Sequence, residues 1–144
     1  MKPVLLIKGL ATAACLLLMG CAQLSGADNS LYHDWRLIEV QGDEGNFELG
    51  DSDPRFTLRL DREGSASGHV ACNQWRGVLE VESNALDISN ASSTRARCRF
   101  EREGLQALEP RYLGQLQDQP VYVLRDNELY LTTDTGEQWR FVRR

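Results

Sequence analysis

Lysine is almost missing from this chain: Lys2 and Lys8 are the only two, and every other strong cation among the 144 residues is an arginine. With 21 acidic residues against 16 basic ones, the formal net charge is −5. No basic stripe is there to follow a phosphate backbone, and the acidic balance argues against nucleic acid as a partner. Histidine is scarce too, with His33 and His69 alone. His69, Cys72 and Cys98 are the one grouping to weigh as a metal site, but a fourth ligand is missing from the local sequence and paired-cysteine spacing is absent. A glycine-rich phosphate loop and a nucleophile motif are also missing. None of the 21 carboxylates is singled out as half of a catalytic pair. The chain is therefore not expected to be an enzyme, and no cofactor or metal is expected. Long apolar runs are lacking as well. The stretch from Gly9 to Met19 is broken only by Thr12, and it is short of the roughly 20 residues that span a bilayer.

What is there begins with a signal. Lys2 and Lys8 form a positive n-region, the apolar stretch follows, and Leu18-Met19-Gly20-Cys21 then places a small residue directly before a cysteine. That is the pattern a lipoprotein signal peptidase cuts, although Met19 departs from the small or β-branched residue usual before the Gly-Cys pair. Cleavage would remove residues 1–20 and leave Cys21 as an acylated N-terminus. More than one acyl chain is needed for firm attachment. Ala22 follows where an Asp would favour inner-membrane retention, so the expected location is the outer membrane, periplasm-facing and lipid-anchored. The alternative is an ordinary secretory signal with Cys21 left as a plain thiol. Cleavage would leave 124 residues in which 14 arginines face 21 acids, seven negative charges in excess. Residues 21–33, rich in Ser, Gly, Asp and Asn, read as a flexible tether, and residues 34–144 as one domain.

Of the four cysteines, Cys15 would leave with the signal and Cys21 would be acylated, which leaves Cys72 and Cys98 in the folded part. An even pair in an oxidising compartment is expected to form a disulfide. On the chain-entropy account it would restrict the unfolded state by roughly 3 to 4 kcal/mol. A catalytic thiol would need a positioned base and a reduced protein, and neither is indicated.

From Trp35 onward, short alternating segments separated by turn residues predict antiparallel sheet. Trp35 to Gln41 is the first strand. Phe56, Leu58 and Leu60 alternate with Thr57, Arg59 and Asp61, and Asp61-Arg62-Glu63-Gly64 turns the chain into Ser65 to Cys72. Leu79 and Val81 alternate with Glu80 and Glu82, Ser83-Asn84 turns, and Leu86 and Ile88 continue. Val121 to Arg125, Glu128 to Thr132 and Gln138 to Val142 form three further strands. Between Phe100 and Gln117 the rhythm changes: Leu105, Leu108, Tyr112, Leu113 and Leu116 fall at helical spacing, which predicts a helix over about 101–117. Pro110 inside it predicts a kink, or a restart with Glu109 as cap. The acid-rich stretch Gly42 to Pro54 lacks the ligand spacing of a calcium loop and is read as a solvated loop. The predicted fold is mainly β with one helix (α+β), a small antiparallel β-barrel or strongly curled meander. Trp35, Phe56, Leu58, Trp75, Trp139 and Phe141 are expected to fill its interior, which disfavours a hollow lipid carrier.

Cys72-Asn73 with Gly77, then Thr94 and Cys98, follow the Trp-initiated strand at Trp35-Arg36-Leu37. Together with the segment Leu105 to Leu116 and the strand at Leu129 to Leu131, this order resembles the META (HslJ-like) domain family over nearly the whole mature domain. Ala71 stands where the family has Gly before its cysteine. The resemblance implies a small curled β-sheet or barrel with one helix and no established catalytic residues. It also implies a link, in some bacteria, to heat shock and antibiotic tolerance. Read from the residues alone, the motif is a turn pinned by a disulfide: Cys72 ends a strand, Asn73 tolerates left-handed backbone, and Gly77 permits close approach. Arg95, Arg97 and Arg99 would share a face if extended, with Arg102 nearby. They are placed to grip a phosphate, carboxylate or headgroup. On so acidic a protein, however, they are expected to pair with Glu80, Glu82, Glu101 or Glu103.

The functional expectation is a non-enzymatic envelope lipoprotein. It would be held on the membrane through acyl chains on Cys21, its domain binding or shielding an envelope protein or small envelope ligand. Two alternatives stand beside it: a pilot-like module for secretion-channel assembly that accepts a peptide strand at an open sheet edge, and a lipoprotein inhibitor of a lysozyme-type hydrolase.

Overall fold

The computed structural model describes residues 31–43 and 45–144; the signal 1–20, Cys21 and most of the tether lie outside them. Nine strands and one helix follow in order: β1 (Asp34–Gly42), β2 (Gly45–Glu48), β3 (Thr57–Asp61), β4 (Ser65–Val70), β5 (Asn73–Glu82), β6 (Ala85–Ser93), α1 (Leu105–Gln117), β7 (Val121–Arg125), β8 (Glu128–Thr132) and β9 (Gln138–Arg143). All pairings are antiparallel, and β1 closes the sheet against β9. β1 is shared on its other side: its first residues pair with β3 and its last with β2. Eight strands therefore form a ring, with β2 as a flap beside it, which makes the predicted barrel the observed architecture.

The weakest join in the ring is between β6 and β7, where only Ala85 and Val121 stand in register. Two main-chain bonds flank that pair, Leu86 N–H to Pro120 O at 3.0 Å and Tyr122 N–H to Asn84 O at 2.7 Å. The helix packs on β6 beside this join. Its apolar positions Leu105, Leu108, Tyr112 and Leu116 are all buried, the stripe that helical spacing required. Tyr112 reaches furthest, with its ring centroid 5.5 Å from Phe56, 5.7 Å from Trp139 and 6.4 Å from both Trp75 and Phe141. These offset and edge-on contacts suit aromatic quadrupoles. The six residues expected inside are all buried, so the barrel is filled by side chains.

Three expectations are corrected. The tether does not extend to His33: Leu31 is 2% exposed, and its carbonyl accepts the Trp35 Nε1–H at 2.8 Å. The chain is thus already anchored in the core three residues before β1. The helix starts at Leu105 and not near 101, because Gly104 adopts φ +90, and a Cβ there would lie 2.7 Å from the Phe47 ring. It then runs unbroken through Pro110; the carbonyl left without a donor belongs to Gln106, an exposed residue. The stretch Gly42 to Pro54 is not all loop, since Phe47 and its neighbours form β2 by pairing with the end of β1. Too short and too polar to show alternation, β2 exists because β1 outruns β3.

The barrel has two distinct ends. One holds the entering segment Leu31 to His33, whose last carbonyl accepts the Leu60 N–H at 3.2 Å. The turns after β3, β5 and β7 and the C-terminus lie at that same end, as Trp35 pairs with Arg143 and Glu82 with Ala85. The other holds the Ala71-Cys72 turn, the 94–104 segment and the turn before β9. Val70 pairs with Asn73 there, and Trp75 with Ser93.

Candidate functional site

At that second end Cys72 and Cys98, 26 positions apart in sequence, form a disulfide with Cα atoms 5.6 Å apart. It fastens the start of β5 to the segment after β6. Asn73, only 3% exposed, does the rest of the fastening. Its Oδ1 accepts the Ala96 N–H at 2.7 Å and the Thr94 hydroxyl at 2.9 Å. Its Nδ2 donates to the Ala96 carbonyl at 3.0 Å and to Glu109 Oε1, on the helix, at 2.9 Å. A carboxamide offers two acceptor and two donor positions, and here all four are used. Thr94 Oγ1 also accepts the Gln74 N–H at 3.1 Å, while the Thr94 N–H bonds the Gln74 carbonyl at 2.9 Å. Glu109 was invisible to sequence reasoning as a motif partner; the one signal was its place on the predicted helix.

The turn itself is built differently from the expectation. Ala71, not Asn73, takes the left-handed backbone, at φ 54. Asn73 sits in regular strand and contributes through its side chain. A left-handed residue favours glycine, which gives a physical reason for the Gly that the resemblance implies at the position Ala71 fills. Gly77 acts as expected: a Cβ there would lie 2.9 Å from the Ser89 carbonyl, beside the register shift between Arg76 and Val78.

Arg95, Arg97 and Arg99 are all exposed, and the ion pairs predicted for them with Glu80, Glu82, Glu101 and Glu103 do not form among the described residues. The reason is positional. Glu80 and Glu82 point toward the opposite end along β5, whereas the Asn73 bonds and the disulfide hold the arginines at this end. Glu101 and Glu103 belong to the turn leading into α1. Arg102 is separate: it pairs with Asp53 at 2.6 Å, donates to the Glu48 carbonyl and lies 4.4 Å over the Phe47 ring. Arg76, exposed on β5, is also without a carboxylate partner among the described residues and stands in register with Ser67 and Ser92. Beside it, a depression of about 460 Å³ is lined by Ser67, Gln74, Ser93 and Thr94.

Other polar groups are engaged elsewhere. The His69 main-chain N–H donates to Thr57 Oγ1 at 2.9 Å, with Nδ1 3.5 Å from the same oxygen, while Cys72 and Cys98 are held in the disulfide. A larger cleft of about 670 Å³ lies between α1 and the β1–β2 turn. Of the charged residues lining it, Arg111 and Glu137 pair with each other, and Glu137 also accepts the Trp139 Nε1–H at 2.9 Å. On the outer wall, Arg140 bridges Glu39 at 2.8 Å and Glu128 at 3.2 Å. The Gln41 amide also donates to Glu39, which holds that carboxyl below its usual range against the opposing effect of burial; the Arg140 bond adds to the lowering.

Three solved structures are similar to this chain. The NMR structure of a protein from Burkholderia xenovorans is 25% identical with a TM-score of 0.63, covering 78% of this chain and 82% of that one. A second protein solved by NMR is 19% identical, TM-score 0.60, over 76% and 87%. The crystal structure of a DUF4847 family protein from Bacteroides vulgatus is 12% identical, TM-score 0.54, over 78% and 93%, and shows the fold alone. No functionally curated protein matches. The META domain family model matches residues 28–144, from just before the buried Leu31 to the last residue, so the chain belongs to the META domain family.

Proposed function

We propose that this protein is a non-enzymatic envelope lipoprotein. It is anchored in the outer membrane through Cys21, and its META domain binds another envelope component through the arginine loop at 95–99. The observation that carries this reading is the contrast within one site. The motif residues satisfy one another completely, with every hydrogen-bonding position of Asn73 occupied inside the protein. They leave no reactive group poised for a substrate. The three arginines they hold in place are exposed and without carboxylate partners among the described residues, in a chain of net charge −5. Guanidinium forks held on a braced segment recognise oxyanions with little ordering cost. An envelope-stress or antibiotic-tolerance role, as in some members of the family, is compatible with such a binding protein.

The test is crosslinking in intact cells followed by membrane pull-down, with the wild-type chain, Cys21→Ser, and the triple variant Arg95→Glu, Arg97→Glu, Arg99→Glu. A captured component that depends on the arginines supports the reading, and capture unchanged by the triple variant removes it. Mass spectrometry of the mature N-terminus decides the anchor: an unmodified terminus removes the lipoprotein part.

A second reading, the strand-accepting pilot module, is favoured by one feature. β7 passes the β5–β6 turn after Val121, and Val121 and Val123 are 41% and 37% exposed there. A partner lost on Val121→Glu with Val123→Glu, yet kept in the arginine variant, would select it.

A further inference from the structure

β1 outruns β3, and β2 takes the vacant side of its last residues. α1 begins beside this hairpin, at Gly104 against the Phe47 ring. The cleft of about 670 Å³ lies between the two, with the turn before β9 as its third wall. It stays open because those walls are poor in side chains. Gly42, Gly45, Gly104 and Gly136 all line it, and a Cβ at Gly45 or Gly136 would meet nothing within 4 Å. The volume falls among those of small-molecule sites, about 300 to 1,000 Å³, and the mouth of a barrel is a common place for one.

Two kinds of surface meet there. Val40, Phe47 and Leu108 supply apolar lining. The charged lining residues are two acids and one base, Asp43, Glu137 and Arg111. Arg111 and Glu137 are committed to each other, and the second Glu137 oxygen is taken by Trp139. Asp43 is exposed and has no cationic partner among the described residues. Gln115 adds an acceptor in want of a donor: its Oε1 is buried without a hydrogen-bond partner. No hydrogen bond holds that carboxamide among the described residues, and its last torsion is soft enough to turn the oxygen toward the cleft. Both groups adjoin the ion pair. Asp43 follows Gly42, whose Cβ would lie 3.3 Å from Glu137, and Gln115 stands about one helical turn after Arg111. An anion would have to draw Arg111 away from Glu137 beside a free carboxylate. A wholly apolar ligand would dehydrate Asp43 with nothing in exchange.

We infer that this cleft binds a small amphiphilic cation, an ammonium group on an aromatic or aliphatic body, with the body on Val40, Phe47 and Leu108 and the ammonium at Asp43. Its N–H groups supply the donors that Asp43 and Gln115 lack, and a charge-assisted bond to a carboxylate is among the stronger ones. The site shares no residue with the arginine loop at 95–99 and goes beyond the function proposed above.

The experiment is an NMR titration of the isotope-labelled mature chain carrying Cys21→Ser, which needs no detergent. Three probes share one ring body and differ in the head group: phenethylamine, phenethyl alcohol and phenylpropionate. Phenethylamine is expected to shift the amides of Gly45, Phe47, Gln115 and Gly136 saturably, and to bind about tenfold tighter than the alcohol. Phenylpropionate is expected to bind no tighter than the alcohol. Asp43→Asn, on an exposed turn, should bring the amine down to the alcohol's affinity. Ala107→Trp, at an exposed helix position on the cleft wall, should abolish binding of both. Equal affinity for the three probes, a preference for the carboxylate, or no saturable shift with any of them overturns the inference. Amine binding that survives Ala107→Trp, or that Asp43→Asn leaves untouched, overturns it as well. Should the Trp variant fold poorly, the Asn variant alone decides. The triple arginine variant is expected to bind phenethylamine as wild type does, so failure here and failure of the arginine reading are separate results.

Discussion

Asn73 Nδ2 donates to Glu109 Oε1 at 2.9 Å across 36 positions of sequence, and this bond ties the first residue of β5 to the helix. Through the same side chain the segment after β6 is held at Ala96 and Thr94. Strand, loop and helix thus meet in one carboxamide. Removing it leaves several buried polar groups unpaired together, and cooperative networks lose more than one bond's worth when a member goes. Asn73→Ala is expected to lower stability by about 2 to 4 kcal/mol. Asn73→Asp keeps the acceptors but sets a second carboxylate against Glu109. Its loss is expected to be as large at pH 7 and smaller near pH 4, where one carboxyl takes up a proton and donates again. Urea unfolding at the two pH values checks this; an Asp variant as stable as wild type at pH 7 would show the donors to be dispensable.

The disulfide closes a loop of 26 positions, for which the chain-entropy account gives about 3.5 kcal/mol. The double variant Cys72→Ala, Cys98→Ala is expected to unfold at correspondingly lower denaturant while keeping the barrel's far-ultraviolet spectrum. Limited proteolysis should then cut between Thr94 and Gly104 before any strand. Cleavage first in β7 or β8 would contradict this.

Ala71 carries left-handed backbone at φ 54, a conformation that costs a residue with a Cβ about 1 kcal/mol. Ala71→Gly is expected to raise stability by about 0.5 to 1 kcal/mol, the strain relieved outweighing glycine's extra freedom when unfolded. A measured loss would mean that the buried methyl contributes more than the strain.

Tyr112 fills the barrel, and its hydroxyl has no hydrogen-bond partner among the described residues. Burial also pushes its ionisation well above the ordinary value of 10.0. Tyr112→Phe keeps all four aromatic contacts and is expected to leave stability unchanged or raise it by about 1 kcal/mol. Tyr112→Ala removes the plug and is expected to cost about 3 to 5 kcal/mol. Thermal melts of the two variants separate the hydroxyl from the ring. A large loss in the Phe variant would show that the hydroxyl matters.

Glu39 has its carboxyl held below the ordinary 4.5, first by the Gln41 amide and further by Arg140, with burial opposing. A lowered folded value means the unfolded chain binds the proton more readily, so this contribution is present above the ordinary value and fades as pH falls through the folded one. Glu39→Gln is expected to flatten the acid side of the stability profile below about pH 4.5 without adding any slope above it. A profile identical to wild type below pH 4.5 would count against the coupling.

Much of the barrel was legible because strand alternation and turn chemistry are local. Leu58 and Leu60 point inward for the same reason Arg59 does not, and Asp126-Asn127 turns the chain with both residues at positive φ. β2 was not legible, for nothing in Gly45 to Glu48 alternates; it forms only because β1 extends beyond β3. The helix start escaped for a related reason, since the ring packed against Gly104 comes from Phe47 in that unforeseen strand. At the site, the cysteine pair could be counted, but the role of Asn73 could not. A carboxamide's partners are chosen by where distant backbone lands, and Ala96 and Glu109 reach it only once the ring has closed.

By itself the sequence determined the alternation that makes strands, the apolar stripe that buries the helix, the cysteines available to pair and the excess of acid over base, since each depends on residue identity and short-range spacing. Only the tertiary structure decided that Arg95, Arg97 and Arg99 stand without carboxylate partners among the described residues, at the end opposite the point where the chain enters the barrel. Pairing of charges depends on distance in space, and that distance is set by how eight strands close on one another.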